Sequence, residues 1–257
     1  MTAPFPTGAF PTGAFRRRVR VVVEDAGRVV GGLEDDFHYF QVEVRHDGTR
    51  VESVAAQSRR WPWSTCPAAA EPLRELAGMP LSPRCLAVGD WTDPKRNCTH
   101  MFDLAGLAVA HAWRGGPPGR TRQYDATIPA GAQAGGEHQV TLHRDGELAL
   151  RWTLDGRRCV SPPPYSEVAW RGGFLRWADA HLPVDEAEAA IVLRRACDIG
   201  MGRGMDLDAI ERAADALGTQ GAVCHTMQPG VVEVAVRNRG TVRDWDADPG
   251  RLLADGP

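Results

Sequence analysis

The sequence predicts an α+β fold in which two antiparallel β-rich blocks pack with helices. Two regions, at roughly 18–55 and 123–156, alternate apolar or β-branched residues with polar ones, which is the period-two pattern of half-buried strands. Each region contains an Asp-Gly pair that suits a tight hairpin turn, and helical segments follow each region. There is no strand–helix–strand alternation with a glycine-rich phosphate loop, which argues against a doubly wound parallel sheet.

The first β block begins with the run RVRVVVED at 18–25. Along 37–45 the residues alternate strictly, with Phe40, Val42 and Val44 on one face. The tetrapeptide HDGT at 46–49 is the predicted turn, because Asp-Gly readily adopts positive-φ geometry. We therefore expect three antiparallel strands here and, in the second block, a hairpin around Asp145-Gly146.

Helices are predicted after each block. The first starts near Cys66, where Pro67 suits the first helical turn, and it ends at Gly78. The second is expected to cover 99–112 and to stop before RGGPPG, a strong helix breaker. A third tract, about 174–217, is interrupted at Pro183 and at GMGRGMD. The GMGRG stretch has helical surroundings and does not follow a strand, so a dinucleotide-binding fingerprint is not indicated.

Composition narrows the class of protein. The chain has 257 residues, 43% of them hydrophobic and 25% charged, with a formal net charge of -3. These values are ordinary for a folded protein, whose length allows one large domain or two small ones, and they favour neither a nucleic-acid nor a membrane partner. The only short basic cluster is Arg16-Arg17-Arg18 with Arg20, which we interpret as a solvated strand edge. The N-terminus lacks the pattern of a secretory signal, so we expect a cytoplasmic protein.

The predicted organisation is a flexible arm at 1–17, a single domain at 18–247 and a flexible tail at 248–257. The arm repeats Pro-Thr-Gly-Ala-Phe, and its aromatic residues at 5–15 could pair protomers in a homo-oligomer. The six cysteines show no Cys-x-x-Cys pair and no disulfide framework, so we expect reduced thiols.

The stretch CTHMFDL at 98–104 contains three side chains that could act in catalysis or bind a metal, a thiol, an imidazole and a carboxylate, within six residues. On a helix that begins at Thr99, the side chains of His100 and Asp103 share a face, so Asp103 could accept an imidazole N–H and fix the tautomer. Cys98 at the N-cap would lie near unpaired N–H groups that stabilise a thiolate, which predicts a reactive thiol. In the alternative interpretation Thr99 caps the helix, Cys98 packs as a small apolar residue, and His100 and Asp103 form a half-exposed pair.

Three other segments could contribute side chains to a site at the start of this helix. Cys66 follows two tryptophans at the start of the preceding helix, and Cys224 precedes His225 on a late loop. The segment Asp35-Asp36-Phe37-His38 places carboxylates and an imidazole at the start of a strand. His111, among leucines and alanines, is interpreted as a satisfied histidine of the core.

The segments LEDDFHYFQVEVRHDG, RRWPWSTCPAAAEPLRELAGMPL and NCTHMFDLAGLAVAHA, together with CHTMQPG, resemble the bacterial domain-of-unknown-function family 2889. The resemblance spans about 18–245. It places Cys66, Cys98, His100 and Asp103 on the family's most specific motifs, and His38 on a matching segment. It implies one intact domain with a shared polar site and supplies no established reaction.

The first functional hypothesis is an enzyme acting on a small apolar or aromatic molecule, by lyase, isomerase or hydrolase chemistry. His100, oriented by Asp103, would be the general base, and Cys98 a nucleophile or proton donor. His38 would be a second acid–base group, Cys66 would belong to the same site, and the apolar wall would be formed by Phe37, Trp61 and Trp63. Serine hydrolases with a Gly-x-Ser-x-Gly elbow, P-loop enzymes and HExxH metalloproteases are excluded, because their motifs are absent.

Two alternatives remain open. Zinc could be held by Cys66, Cys98, His100 and either Cys224 or His225, although Cys-x-His is tighter than the usual ligand spacing; no other cofactor is indicated. The chain could instead be a non-catalytic accessory domain with buried, reduced thiols.

Overall fold

The computed structural model describes residues 12–131, 136–217 and 224–257. In this part of the chain, eight antiparallel strands form one continuous sheet in the order β4-β3-β2-β1-β5-β6-β7-β8. The strands are β1 (Ala14–Asp25), β2 (Arg28–Asp35), β3 (Tyr39–His46), β4 (Val51–Arg60), β5 (Thr121–Pro129), β6 (Glu137–Arg144), β7 (Glu147–Asp155) and β8 (Arg158–Ser161). The predicted α+β class is confirmed. The two β blocks are the halves of this sheet, joined where β1 pairs with β5.

Four α-helices lie within the described ranges: α1 (Thr99–Arg114), α2 (Phe174–His181), α3 (Val184–Gly200) and α4 (Ala213–Leu217). Helix α1 packs against β1, β2 and β3, and α3 packs against β5, β6 and β7. Short 3-10 helices cover Cys66–Leu76, Cys85–Asp90, Tyr165–Glu167, Leu207–Ala209, His225–Met227 and Pro249–Arg251. None of the described helices is long and apolar enough to cross a membrane.

Strand β1 shows how the sequence pattern places side chains. Phe15, Val19, Val21 and Val23 are buried on its inner face, as the period of two requires. Arg17 shares their parity and is also buried, whereas Arg16 and Arg18 point the other way and are half-buried. The interpretation of 16–20 as a solvated edge is therefore wrong for Arg17, since the alternation of the strand carries it inward.

The predicted helix after Cys66 is a run of 3-10 turns, which contains Pro72 and so cannot complete an α-helical hydrogen-bond ladder there. The long helical tract ends at Gly200, and the following residues form turns and short helices. Pro183 precedes α3, as expected from its position as a helix boundary.

Both chain ends differ from the prediction of flexible segments. Strand β1 starts at Ala14, inside the predicted arm; residues 1–11 of the arm lie outside the described residues. Near the C-terminus, Leu252 and Leu253 are buried, and the Tyr39 hydroxyl donates a hydrogen bond to the Gly256 carbonyl over 3.1 Å. The segment 248–257 thus packs against the sheet, where Arg18 and Arg20 donate hydrogen bonds to the Leu252 and Leu253 carbonyls and the Leu253 N–H donates to Glu34.

Candidate functional site

A cavity of about 800 Å³ lies where the β2–β3 turn approaches the start of α1. Its wall combines aromatic rings, thiols and imidazoles. The residues that concern the predicted site are Phe37, His38, Phe40, Trp63, Cys66, Cys98, His100, Asp103 and Cys224. Ligand pockets typically occupy about 300–1,000 Å³ and combine apolar walls with a few polar groups. This cavity is therefore the candidate site.

The β2–β3 turn is built around the buried carboxylate of Asp35. Its Oδ1 accepts the backbone N–H groups of Phe37 and His38, each at 2.8 Å. Its Oδ2 accepts Nε and Nη2 of Arg17 at 2.9 and 2.5 Å. Arg17 lies directly opposite Asp35 in the β1–β2 register, so the strand pairing brings the two charges together. Both side chains are almost completely buried.

A second arginine, Arg60 at the end of β4, fixes the outer side of the same turn. Its Nη2 donates to the carbonyl groups of Asp35 and His38 at 2.6 and 3.1 Å, and Nη1 donates to the Asp36 carbonyl at 3.0 Å. Each of these carbonyl groups also accepts one further N–H donor, from Trp245 for Asp35, from Arg243 for Asp36 and from Asp35 for His38, so the backbone acceptors of this irregular turn are all satisfied. The turn that carries His38 is therefore held from both sides.

Asp35 determines the tautomer of His38. Burial raises the pKa of Asp35, but His38 and Arg17 outweigh this effect and hold that pKa well below its usual range. An ionised carboxylate can only accept, so His38 Nδ1, 3.0 Å from Asp35 Oδ1, carries the hydrogen. The lone pair is then on Nε2, the nitrogen left for a molecule in the cavity. Burial lowers the pKa of His38, although Asp35 opposes the shift.

His100, in the first turn of α1, faces His38, and their ring centroids are 3.9 Å apart. Its Nδ1 lies 3.7 Å from Cys98 Sγ, and its Nε2 is buried with no hydrogen-bond partner among the residues that the structure describes. Burial, then the neighbouring His38 and Arg17, lower the pKa of His100 well below its ordinary value. Two adjacent imidazoles are thus kept neutral near pH 7, and one nitrogen is left for a ligand to satisfy.

These two histidines predict a pH dependence of stability. The unfolded chain binds protons at a histidine pKa of about 6.5, whereas the folded chain resists protonation of His38 and His100. Their contribution is complete above pH 6.5 and is lost as the pH falls below it, by up to about 1.4 kcal/mol per pH unit for each group. We expect urea denaturation between pH 7.5 and 5 to show a smaller loss of stability for His100→Gln than for the parent.

The control for this titration is His181→Gln, because His181 is exposed and, within the described part of the chain, contacts Trp177 through its ring and through a hydrogen bond to the Trp177 carbonyl. We expect this control to retain the pH slope of the parent. An unchanged slope in His100→Gln would contradict the assignment of a depressed pKa to His100.

The predicted pairing of Asp103 with His100 is wrong. Asp103 forms an ion pair with Arg195 of α3, with 2.9 Å between Asp103 Oδ2 and Arg195 Nε. Burial raises the pKa of Asp103, and Arg195 opposes that shift. Although Asp103 is one helical turn from His100, the imidazole turns toward His38 and the carboxylate turns toward α3. The acid that orients an imidazole in this site is Asp35, acting on His38.

Helix α1 begins at Thr99 with Cys98 as its N-cap, as the sequence predicts. The electrostatic consequence differs from the prediction: burial raises the pKa of the Cys98 thiol well above its usual value, and the N–H groups at the helix start oppose this only in part. Burial also raises the pKa of Cys66 to about 11; its Sγ lies 3.7 Å from Thr226 Oγ1. A buried helix start therefore does not make a reactive thiolate here.

The candidate zinc ligands Cys66, Cys98, His100 and Cys224 all line the cavity. Among the described residues, however, no three of them bring their ligand atoms within 4.8 Å of one another. The group that meets this distance is Asp35, His38 and His100. Both oxygens of Asp35 already accept hydrogen bonds from five N–H donors, so this carboxylate is better matched to orienting His38 than to holding a metal.

Sequence reasoning missed the roles of Asp35, Arg17 and Arg60. Two signals were present: an acid three residues before His38, and a charged residue at the inward parity of β1. These signals indicate a site only when the β1–β2 register and the path of β4 are known, and the local sequence pattern specifies neither.

The comparisons with known proteins concern this same part of the chain. The family model described as "Protein of unknown function (DUF2889)" matches residues 17–113, a shorter range than the 18–245 over which the sequence resemblance was drawn. No curated protein matches the chain. The matched range carries Arg17, Asp35, His38, Cys66, Cys98, His100 and Asp103. The two histidines and the carboxylate of the candidate site therefore lie within the part of the chain that matches the DUF2889 family model.

Proposed function

We propose that this protein is an enzyme that uses His38 as a general base on a small molecule bound in the cavity. The observation that carries the proposal is the Asp35–His38 pair beside the cavity, with 3.0 Å between Asp35 Oδ1 and His38 Nδ1. A general base needs a free nitrogen, a fixed orientation and a pKa at or below the working pH. Asp35 supplies the orientation, and burial keeps the imidazole neutral.

The neighbouring groups fit the roles of proton donors and binding surfaces. The buried, unpartnered Nε2 of His100 can bind a polar group of the substrate, and the protonated Cys98 thiol beside His100 can supply a proton. Phe37, Phe40 and Trp63 give the cavity an apolar wall. Proton abstraction from carbon in a lyase or isomerase, or from water in a hydrolase, uses the same arrangement.

The test is a turnover screen with the parent and His38→Gln. The panel contains aryl esters, aryl thioesters and aromatic β-hydroxy acids, which represent hydrolysis and dehydration. We expect the parent to turn over one of these classes and His38→Gln to lower kcat/KM about 10²–10⁴-fold, the usual contribution of a general base. His181→Gln is the matched control and should retain the parent's rate. A folded His38→Gln variant with full activity, or a parent that turns over no member of the panel, would contradict the proposal.

A metal centre is the second candidate, because Asp35, His38 and His100 each place one ligand atom within 4.8 Å of the others. Two imidazoles and a carboxylate are common ligands of zinc and of non-haem iron. Elemental analysis of the purified protein tests it. One metal ion per chain, lost in His100→Gln, would favour this candidate. Less than about a tenth of an ion per chain would argue against a metal centre and leave the general base as the remaining candidate.

A further inference from the structure

The charges around the cavity are strongly unbalanced. Among the described residues that line it, eight are basic and only two are acidic. The basic ones are Arg17, Lys95, Arg157, Arg171, Arg176, Arg194, Arg195 and Arg237, and the acids are Asp103 and Asp198. The chain as a whole carries a net charge of -3, so this imbalance is a local feature and does not follow from composition. This local excess of positive charge favours a negatively charged ligand.

The inner arginines are neutralised by protein carboxylates. Arg17 pairs with Asp35, and Arg195 pairs with Asp103. Arg194 pairs with Asp198, and Arg237 with Asp208. These four guanidinium groups are therefore largely satisfied by the fold itself.

The other four cations have no such partner. Lys95, Arg157, Arg171 and Arg176 are exposed, and none makes an ion pair with any residue that the structure describes. Arg171 and Arg176 flank the start of α2, where Gly172, Gly173 and Phe174 also line the cavity. Because these side chains are exposed and line the cavity, they form its rim, where clustered positive charge attracts an anion and raises its rate of association.

The interior has the opposite character. Phe37, Phe40, Trp63, Trp170 and Phe174 contribute aromatic rings to the wall. Among the described residues, three buried polar atoms on this wall have no hydrogen-bond partner: His100 Nε2, beside His38, and Arg195 Nε and Arg237 Nη2, whose guanidinium groups form ion pairs. A ligand that fills the cavity would thus meet an aromatic surface along its length, an unsatisfied nitrogen near the proposed base, and uncompensated cations at the entrance.

We infer that the substrate is an amphipathic organic anion, with an aromatic body in the cavity and a carboxylate or phosphate group at the rim formed by Lys95, Arg157, Arg171 and Arg176. The part of the molecule that reacts lies beside His38 and His100. This inference rests on the proposed function for the reaction, but the selectivity for an anion rests on the rim alone. Arginine suits both anionic groups, since its planar fork binds either of them through two N–H donors.

The test measures binding without turnover. Cinnamate, its uncharged amide cinnamamide, and cinnamoyl-coenzyme A are titrated by isothermal calorimetry into the parent and into Arg171→Glu/Arg176→Glu, each protein also carrying His38→Gln so that the thioester is not turned over during the titration. We expect cinnamate or cinnamoyl-coenzyme A to bind at least tenfold more tightly than cinnamamide, and the double variant to lose at least tenfold in affinity for the anions. Affinity for cinnamamide should stay within twofold. Preference for cinnamate would identify a simple carboxylate, and preference for the thioester a phosphate-bearing carrier.

Arg151→Glu is the matched control, because Arg151 is an exposed arginine of β7 that does not line the cavity. It should bind all three compounds as the parent does. Equal affinity for cinnamate and cinnamamide, loss of anion binding in Arg151→Glu to the same extent, or no binding of any compound would overturn the inference. Binding with the expected selectivity but without turnover in the screen above would contradict the proposed reaction and leave this inference standing.

Discussion

Asp35→Asn is expected to lower the free energy of unfolding by about 3–5 kcal/mol, the usual cost of removing one partner from a buried ion pair. The carboxylate is fully buried, and its partner Arg17 is 3% exposed. With asparagine in place of the acid, the guanidinium of Arg17 keeps its charge in the same surroundings without an opposite charge. The neutral amide also accepts fewer hydrogen bonds than the five that converge on the carboxylate.

Urea denaturation followed by tryptophan fluorescence measures this cost. The chain offers a matched control one residue along β1, where Arg18 pairs with Asp125 across 2.6 Å but the side chains are 16% and 29% exposed. Exposed pairs contribute about 0–1 kcal/mol, so Asp125→Asn should remain within that range of the parent. Equal losses for the two variants would show that burial does not distinguish the two ion pairs.

The Asp35→Asn substitution should also change the candidate site. Without the ionised acceptor, the Nδ1–H tautomer of His38 is no longer enforced, and the ring can present either nitrogen to the cavity. The ¹⁵N chemical shifts of the His38 ring should therefore change from one dominant tautomer in the parent to a mixture in Asp35→Asn. If the parent itself shows a mixture of tautomers, Asp35 does not orient this imidazole.

The elements that the sequence predicted well are those determined by local pattern. Alternation along 37–45 is reproduced in β3, where Phe40, Val42 and Val44 are buried and Gln41 and Glu43 are half-buried. The start of α1 at Thr99 follows from the change of pattern after Asn97. In both cases the signal depends on neighbours within one or two turns or pleats, for which the period of two or 3.6 residues is a sufficient guide.

The candidate site was predicted in part, for a physical reason. His38, Cys66, Cys98 and His100 do line one cavity, but the acid nearest to His100 in sequence is not the acid that orients an imidazole. Helical spacing places Asp103 within reach of His100, but it does not determine whether the carboxylate pairs with His100 or with another residue. Arg195, from helix α3, carries a full positive charge and is the residue with which Asp103 pairs. The Arg17–Asp35 pair depends on which residues of β1 and β2 lie opposite one another. That register depends on the turn that joins β1 to β2 and on the irregularity between Val23 and Asp25, which the alternation of residues does not reveal.

Gly106→Ala is the second substitution with a large expected effect. It should lower the free energy of unfolding, although helix propensity alone predicts an increase. In an exposed helix interior, alanine in place of glycine stabilises by about 1 kcal/mol. At Gly106, in the middle of α1, an added Cβ would lie 2.0 Å from the Cys85 carbonyl oxygen and 3.3 Å from Val88 Cγ2. The atom in the way is backbone, so relief requires α1 and the 3-10 helix Cys85–Asp90 to separate. We expect a net loss of about 3 kcal/mol, at the upper end of the usual cost of overpacking.

Because α1 also carries His100, its displacement should reach the site. Moving the helix away from Cys85 changes the position of the His100 ring relative to His38, whose centroids are now 3.9 Å apart. Thermal and urea denaturation measure the stability, and the histidine ring signals report the contact. Gly204→Ala is the control, since an added Cβ there meets no atom within 4 Å, and its stability should equal that of the parent or exceed it by up to about 1 kcal/mol. A Gly106→Ala protein as stable as the Gly204→Ala protein would mean that α1 does not touch the Cys85 backbone, and the placement of His100 beside His38 would lose its support.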